Sequence, residues 1–143
     1  MPSSAAFDIS SFLPYLLNRA AEESSAEFAR IYKDRHGLLR TEWRVLFHLG
    51  QGGEMTATEI GQISRIHKTK ISRAVAALQK RRYLLRSTSA KDRRIEFLKL
   101  TPQGVRVFAE LAEIAAAYNA KLLAQFSPDE QAALLQSLRV LMK

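Results

Sequence analysis

The chain has 143 residues, 47% of them hydrophobic and 25% charged, which is enough apolar material for the core of a single domain. It contains no cysteine, which excludes disulfides, thiolate metal sites and cysteine-based redox chemistry. No apolar run reaches the roughly eighteen residues of a membrane span and no secretory pattern opens the chain, so a cytoplasmic location without a membrane partner is expected.

Residues 1–10 read as a Ser-rich arm. Ser11 is placed to cap a helix reaching about His36, with Gly37 placed to end it, and Leu13, Leu17, Ala20, Ser24, Phe28 and Ile31 recur at the three- and four-residue spacing of one buried face. A helix of this length either wraps its own domain or packs against another subunit. Thr41 is placed to cap a second helix, Glu42 to Leu49, which the glycines at 50, 52 and 53 end. Thr56 and Glu59 form a capping box, in which hydroxyl and carboxylate each satisfy a free backbone N–H, for a third helix over Ala57 to Ser64. A turn at Arg65 to His67 leads into a fourth helix, Lys68 to about Arg81, and two short helices joined so tightly read as helix-turn-helix.

From Leu84 the period changes from helical to alternating. Leu84 to Ser87 and Ile95 to Leu100 read as short strands around a polar loop, Thr88 to Arg94. Thr101 and Pro102 start a fifth helix ending near Gln125, and Ser127, Pro128 and Glu130 start a sixth that closes the chain. No internal repeat, low-complexity segment or linker interrupts this order.

The formal net charge of +8 is concentrated in one place. Twelve of the 22 lysines and arginines fall between Arg65 and Lys99, where Asp92 and Glu96 are the only acids, while the other 108 residues carry ten basic against twelve acidic side chains. Such a patch is the electrostatic footprint of a surface that neutralises phosphates. On a helical wheel Ile71, Ala74, Val75 and Leu78 share one side of the fourth helix, while Thr69, Arg73, Ala76 and Lys80 face away, with Lys70 and Ser72 on the flanks. The outward face is basic, hydroxylated and slim, as a helix entering a groove about 12 Å wide must be. Arg73 is suited to a guanine edge, and Thr69, Lys70 and Ser72 to bases or phosphates. Alone, this face reads more readily as ordinary solvated surface. The loop after it, with Lys91, Arg93 and Arg94 around Asp92, tips the balance, because an arginine on a hairpin tip can enter the minor groove. Asp92 then serves to hold a neighbouring guanidinium, although a plain surface ion pair is the alternative.

Enzymatic readings find no support. His36, His48 and His67 lack metal-ligand spacing, no Gly-rich phosphate loop is present, Ser10 and Ser11 fall in the arm, and adjacent Glu22 and Glu23 point about 100° apart. No catalytic residue, metal or cofactor is expected.

The run Thr41-x-Trp43-x-Val45-Leu46, then Ile66-His67-Lys68-Thr69-Lys70-Ile71-Ser72-Arg73-Ala74-Val75, then Tyr83-Leu84, Asp92-Arg93-Arg94 and Leu100-Thr101-Pro102-x-Gly104, resembles the MarR family of winged-helix transcriptional regulators over about residues 10–142. The resemblance implies a mainly α fold. Residues 1–143 would form one domain, with an arm at 1–10, dimerisation helices at 11–36 and 102–143, and a winged helix-turn-helix lobe with a small β-hairpin at 41–100. It further implies a homodimer on palindromic double-stranded operator DNA, acting as a repressor relieved by a small effector, often an aromatic acid. Lys68, Thr69, Lys70, Ser72 and Arg73 become recognition-helix contacts, and Lys80 to Arg82 a phosphate-holding shoulder. Lys91, Asp92, Arg93 and Arg94 become the wing, with Arg94 in the minor groove and Asp92 as its organiser.

In similar proteins the effector cleft is bounded by the first, second and fifth helices, which here offer Tyr15, Arg19, Trp43, Phe47, His48 and Phe108. Arg19 suits either a ligand carboxylate or an intersubunit ion pair. Two positions depart from the family pattern. His67 stands where Asp or Ser is common, which predicts an N-cap weaker by about 1 kcal/mol. Arg82 stands where glycine is common, and a left-handed arginine there costs on the order of 1 kcal/mol unless a phosphate contact compensates. A ligand-independent architectural DNA-binding protein and a winged-helix protein-interaction module remain as alternatives.

Overall fold

The structure is a computed structural model that describes residues 6–143. Residues 1–5 of the expected arm lie outside the described residues. The Asp8 carboxylate accepts the Ser10 N–H at 3.0 Å and opens a single 3-10 turn, Ile9–Ser11, after which α1 spans Leu13–His36. Ser11 does not cap α1: it lies inside the turn, and Phe12 takes the cap position with no side-chain bond. Pro14 in the first helical turn lacks an N–H, so α1 starts with one fewer donor to satisfy. At the other end Gly37 adopts φ 64°, and its N–H returns to the Lys33 carbonyl.

Helix α2 covers Arg40–Gly52 and corrects two expectations. Thr41 is not the cap; the half-way residue is Leu39, whose N–H is bound by the Glu42 carboxylate at 3.1 Å, and Glu42 is itself buried. Gly50 and Gly52 do not stop the helix, which ends at Gly53. Gly50 is a packing residue, because a Cβ there would lie 2.6 Å from Phe108 Cε1. Strand β1, Met55–Thr56, follows; two residues carry no readable alternation, and its partner is remote in sequence. Helix α3, Ala57–Ser64, carries the Thr56–Glu59 capping box at 3.1 and 2.9 Å.

Helix α4 spans Lys68–Lys80, and strands β2, Leu84–Thr88, and β3, Glu96–Leu100, form an antiparallel hairpin in register Leu84↔Leu100 through Thr88↔Glu96. Strand β1 pairs with the other side of β3, giving the sheet order β1-β3-β2. Helix α5 spans Pro102–Leu123, two residues short of expectation, and α6 spans Pro128–Leu141, capped by Ser127 and Glu130.

The described residues are thus mainly helical, with one small sheet. The core sits in the winged-helix lobe and the segments packed on it, where Val45, Leu46, Ile60, Ile71, Leu78, Leu84 and Leu98, with Leu38 before the lobe and Leu111 of α5, are shielded from solvent. Each such side chain contributes about 1.5–3 kcal/mol by leaving water. The long helices behave differently. The apolar stripe of α1 is buried at Phe28 but leaves Leu13 51% exposed, and α6 buries no residue at all. Leu17, Leu122, Phe126, Leu134 and Leu135 line an open apolar groove of about 530 Å³ between α1, α5 and α6. No helix of the described residues is long and apolar enough to cross a membrane.

Candidate nucleic-acid interface

The helical period of α4 determines its two faces. Ile71, Ala74, Val75 and Leu78 are buried against the lobe, and Lys68, Thr69, Lys70, Ser72, Arg73, Ala76 and Lys80 are exposed. His67 opens the helix by accepting the Thr69 N–H on Nδ1 at 3.1 Å, so the cap that a shorter polar residue would supply comes here from the imidazole. Nδ1 must be unprotonated for this, which places the proton of the neutral ring on Nε2.

The tip of the β2–β3 hairpin is organised by hydrogen bonds rather than by burial. Ser89 Oγ accepts the N–H groups of Lys91 and Asp92 at 3.2 and 3.3 Å. Asp92 in turn accepts the Arg94 N–H at 3.0 Å on Oδ1 and the guanidinium on both oxygens at 3.1 Å, a two-pronged, charge-assisted pairing. These hydrogen bonds hold the Asp92 carboxyl below its ordinary range. Arg94 stays 90% exposed, so the aspartate aims the guanidinium without covering it. Lys91 and Arg93 are exposed beside it. The hairpin is tied to α4 by Arg86, which donates to Gln79 Oε1 at 2.8 Å and to Glu96 Oε1 at 3.1 Å. Side-chain pairing across a helix-to-strand turn and a hairpin, seven and ten residues apart, has no signature in helical or alternating period.

The shoulder after α4 needs correction. Lys80 and Arg82 are exposed, but the Arg81 guanidinium is committed to the end of α1, donating to the carbonyls of His36 and Gly37. Arg82 is left-handed at φ 64°. The carbonyl of this strained residue accepts a hydrogen bond from the Thr101 hydroxyl at 2.6 Å, a compensation supplied inside the protein.

Two basic residues from outside the Arg65–Lys99 segment join the patch. Arg40 and Arg44 of α2 line a cleft of about 460 Å³ with Arg65, His67 and Lys70. Among the described residues, none of the ion pairs involves Arg40, Arg44, Arg65 or Lys70. Burial and the charge of Arg40 lower the pKa of Arg44, as expected for crowded cations without an acid between them. The i, i+4 spacing of Arg40 and Arg44 was a usable signal on a helix read for its apolar side alone.

The MarR family model matches residues 36–95, from the last residue of α1 to the end of the hairpin loop. The chain is 25% identical over 123 residues to YwaE, an HTH-type transcriptional regulator of Bacillus subtilis (strain 168); the match covers 86% of this chain and 72% of that protein. Among solved structures, a MarR family transcriptional regulator from Silicibacter pomeroyi DSS-3 is 28% identical, with a TM-score of 0.81 and coverage of 96% of this chain and 97% of that one. BpsR of Bordetella bronchiseptica, whose DNA binding is regulated by 6-hydroxynicotinic acid, superposes with a TM-score of 0.87 at 23% identity, covering 96% and 98%.

Over residues 36–95 the chain is thus similar to the MarR family. The curated relatives it resembles are HTH-type transcriptional regulators.

The residues the MarR resemblance assigns to an effector cleft fall into two groups. Trp43, Phe47 and Phe108 stack edge to face in series, with ring centroids 4.5 and 5.1 Å apart, and Phe28 packs on Trp43 at 5.3 Å. Tyr15 and Arg19 pair with each other at 3.4 Å on exposed α1, where Arg19 also reaches Glu23 of the same helix at 3.4 Å. His48 is half-buried on α2; burial, and then the charge of Arg44, hold its pKa below the usual histidine value. A cleft of about 290 Å³ between α1 and α2 is lined by the aromatic residues Phe28, Tyr32 and Trp43, by Arg40 and Arg44, and by the acid Glu22.

Proposed function

We propose that the protein is a homodimeric repressor that reads a palindromic operator and releases it on binding a small aromatic acid. The observation that carries the DNA reading is the pairing of an exposed Thr69–Arg73 face on α4 with an Asp92-aimed, solvent-exposed Arg94, the two joined by Arg86. Thr69, Lys70, Ser72 and Arg73 enter the major groove, Arg94 the minor groove, and Lys68, Lys80, Arg82, Lys91 and Arg93 hold phosphates. Arg40, Arg44 and Arg65 extend the phosphate-binding surface across the helix-turn-helix.

Dimerisation covers the groove between α1, α5 and α6. Large contiguous apolar surface is unusual on a monomer, and a second copy presents the same surface in return. Two lobes held about 34 Å apart then meet successive major grooves.

The effector reading is supported by the α1–α2 cleft. Aromatic walls offer stacking for a ring, and Arg40 with Arg44 offers two crowded guanidinium groups whose mutual repulsion a carboxylate would relieve. BpsR responds to 6-hydroxynicotinic acid, a molecule of this class. Because α1 belongs to the dimer frame and α2 to the reading lobe, a ligand wedged between them favours one lobe spacing over another by population shift.

Selection of binding sites from random duplex DNA tests the DNA reading. The expected product is a palindrome with half-site centres about 10–10.5 base pairs apart, bound with an affinity that falls steeply as salt rises, by about 0.9 in log-log slope per phosphate contact. Unpaired single half-sites or a flat salt response would refute it. The effector reading predicts that 6-hydroxynicotinate raises the melting temperature of wild type but not of Arg44→Met; equal shifts in both would refute it.

A further inference from the structure

Two frame helices of the proposed dimer, α1 and α5, both reach the C-terminal end of α4 and the turn that follows it. From one side comes the end of α1. Arg81, the residue that closes α4, spreads its guanidinium over the last carbonyls of that helix, with Nη1 donating to His36 O at 3.0 Å and Nη2 to Gly37 O at 2.9 Å. A cation on the negative end of a helix dipole is favourable, and a planar fork with two fixed donors holds an angle that a single donor cannot. Gly37 makes room for it: φ is 64°, and a Cβ at this position would lie 2.9 Å from Arg81 Nη2. The neighbouring side chains of α1 are themselves anchored, because Arg35 and His36 both reach Glu110 of α5 at 3.1 and 3.2 Å.

From the other side comes the start of α5. The Thr101 N–H donates to Tyr83 O at 3.0 Å, and Gly104 packs so closely that a Cβ would fall 2.9 Å from the Tyr83 carbonyl carbon. The start of α5 is therefore held by backbone. The contact between α4 and α1 is instead carried by the Arg81 side chain, beside the packing of Phe28 and Tyr32 of α1 on Trp43 of α2.

We propose that Arg81 is a positioning residue: its fork on the end of α1 sets the angle at which the recognition helix leaves the dimer frame, and so sets which half-site spacing the protein accepts. The proposal rests on the reading of the chain as a dimer on two half-sites. Arg81 touches no base or phosphate in this role. Its hydrogen bonds are spent on α1, and it acts through α4, whose far end carries Thr69 to Arg73.

The test compares wild type with Arg81→Lys, which keeps the charge and loses the fork, on operators whose half-sites are separated by zero to three extra base pairs. Two extra pairs rotate one half-site by about 70° and move it about 7 Å. Wild type is expected to lose affinity on the order of 100-fold for that operator, and Arg81→Lys less than about 10-fold, with affinity for an isolated half-site the same in both.

A second measurement needs no DNA. The chain has no cysteine, so nitroxides at Asn18→Cys on α1 and Ala76→Cys on α4, with labelled chains diluted into unlabelled ones, report one intramolecular distance. Its distribution is expected to be narrow in the Arg81 protein and to broaden in Arg81→Lys. Gly37→Asn, which tolerates the left-handed backbone but pushes a Cβ onto Nη2, should behave alike and serves if Arg81→Lys does not fold. An unbroadened distribution overturns the proposal, as does a wild-type spacing penalty retained in the variant. Parallel loss of half-site affinity would make Arg81 a DNA contact and also overturn it. Absence of any spacing preference in wild type defeats the two-half-site reading, and the label distances then still decide whether Arg81 holds the helix.

Discussion

Gly104→Ala separates two effects of opposite sign at one position. Gly104 lies in the first turn of α5, its N–H bound by the Thr101 hydroxyl at 3.0 Å. In an isolated helix alanine would stabilise by about 1 kcal/mol relative to glycine. Here the new Cβ falls inside contact distance of the Tyr83 carbonyl oxygen, 2.9 Å from its carbon and 3.2 Å from its Cα. These are backbone atoms of the turn between α4 and β2, and they cannot rotate aside. Relief requires α5 to withdraw, which lengthens the bonds from the Thr101 N–H to Tyr83 O and from the Thr101 hydroxyl to Arg82 O. Two hydrogen bonds at about 1 kcal/mol each and overpacking strain of about 1–3 kcal/mol oppose the propensity gain. The expected net destabilisation is about 2–4 kcal/mol. Urea denaturation at fixed protein concentration measures it, the fixed concentration being needed because dimerisation would itself shift the midpoint. A variant as stable as wild type, or more stable, would show that the close approach at Tyr83 does not constrain α5, and the reasoning would be refuted.

Other expectations follow from individual contacts. His67→Ala should destabilise by about 0.5–2 kcal/mol through loss of the Thr69 N–H acceptor, while His67→Asp, which restores an acceptor, should not; urea midpoints of the two variants decide. Asp92→Ala should weaken operator binding while leaving the oligomeric mass by light scattering unchanged, because Arg94 loses its aim and not its charge; equal binding would remove the organising role of Asp92. His48 gives a signed pH dependence. Its folded-state pKa is depressed below the ordinary 6.5 by burial first and Arg44 second, so the unfolded chain binds the proton more readily. Its contribution to stability is complete above about pH 6.5 and falls as the pH drops from there through the lowered folded value. Thermal melts of wild type and His48→Gln should therefore converge or cross on acidification from pH 7, and parallel curves would contradict the shift.

Features of this protein that depend on neighbours three or four residues away were legible in the sequence. The Thr56–Glu59 and Ser127–Glu130 boxes, the Thr101–Pro102 start and the inward set Ile71, Ala74, Val75 and Leu78 all rest on the helical period and on donors left free at a helix start, so spacing alone specifies them. The patch from Arg65 to Lys99 and its division between a helix and a hairpin were equally local. The start of α2 was local too, but its cap position falls on Leu39, which has no polar side chain, and the buried Glu42 three residues on accepts the Leu39 N–H instead.

What the tertiary structure decided are features whose partner lies far along the chain. Gly50 reads as a stop until Phe108 is seen to need its space, and β1 exists because β3 offers it an edge. Arg40 and Arg44 join the basic surface only once α2 lies against the turn before α4. Arg81 looked like one more phosphate ligand in a run of three cations, yet its guanidinium faces a helix end 44 residues away. Charge and period are properties of a segment, whereas the direction in which a side chain spends its hydrogen bonds belongs to the packed chain.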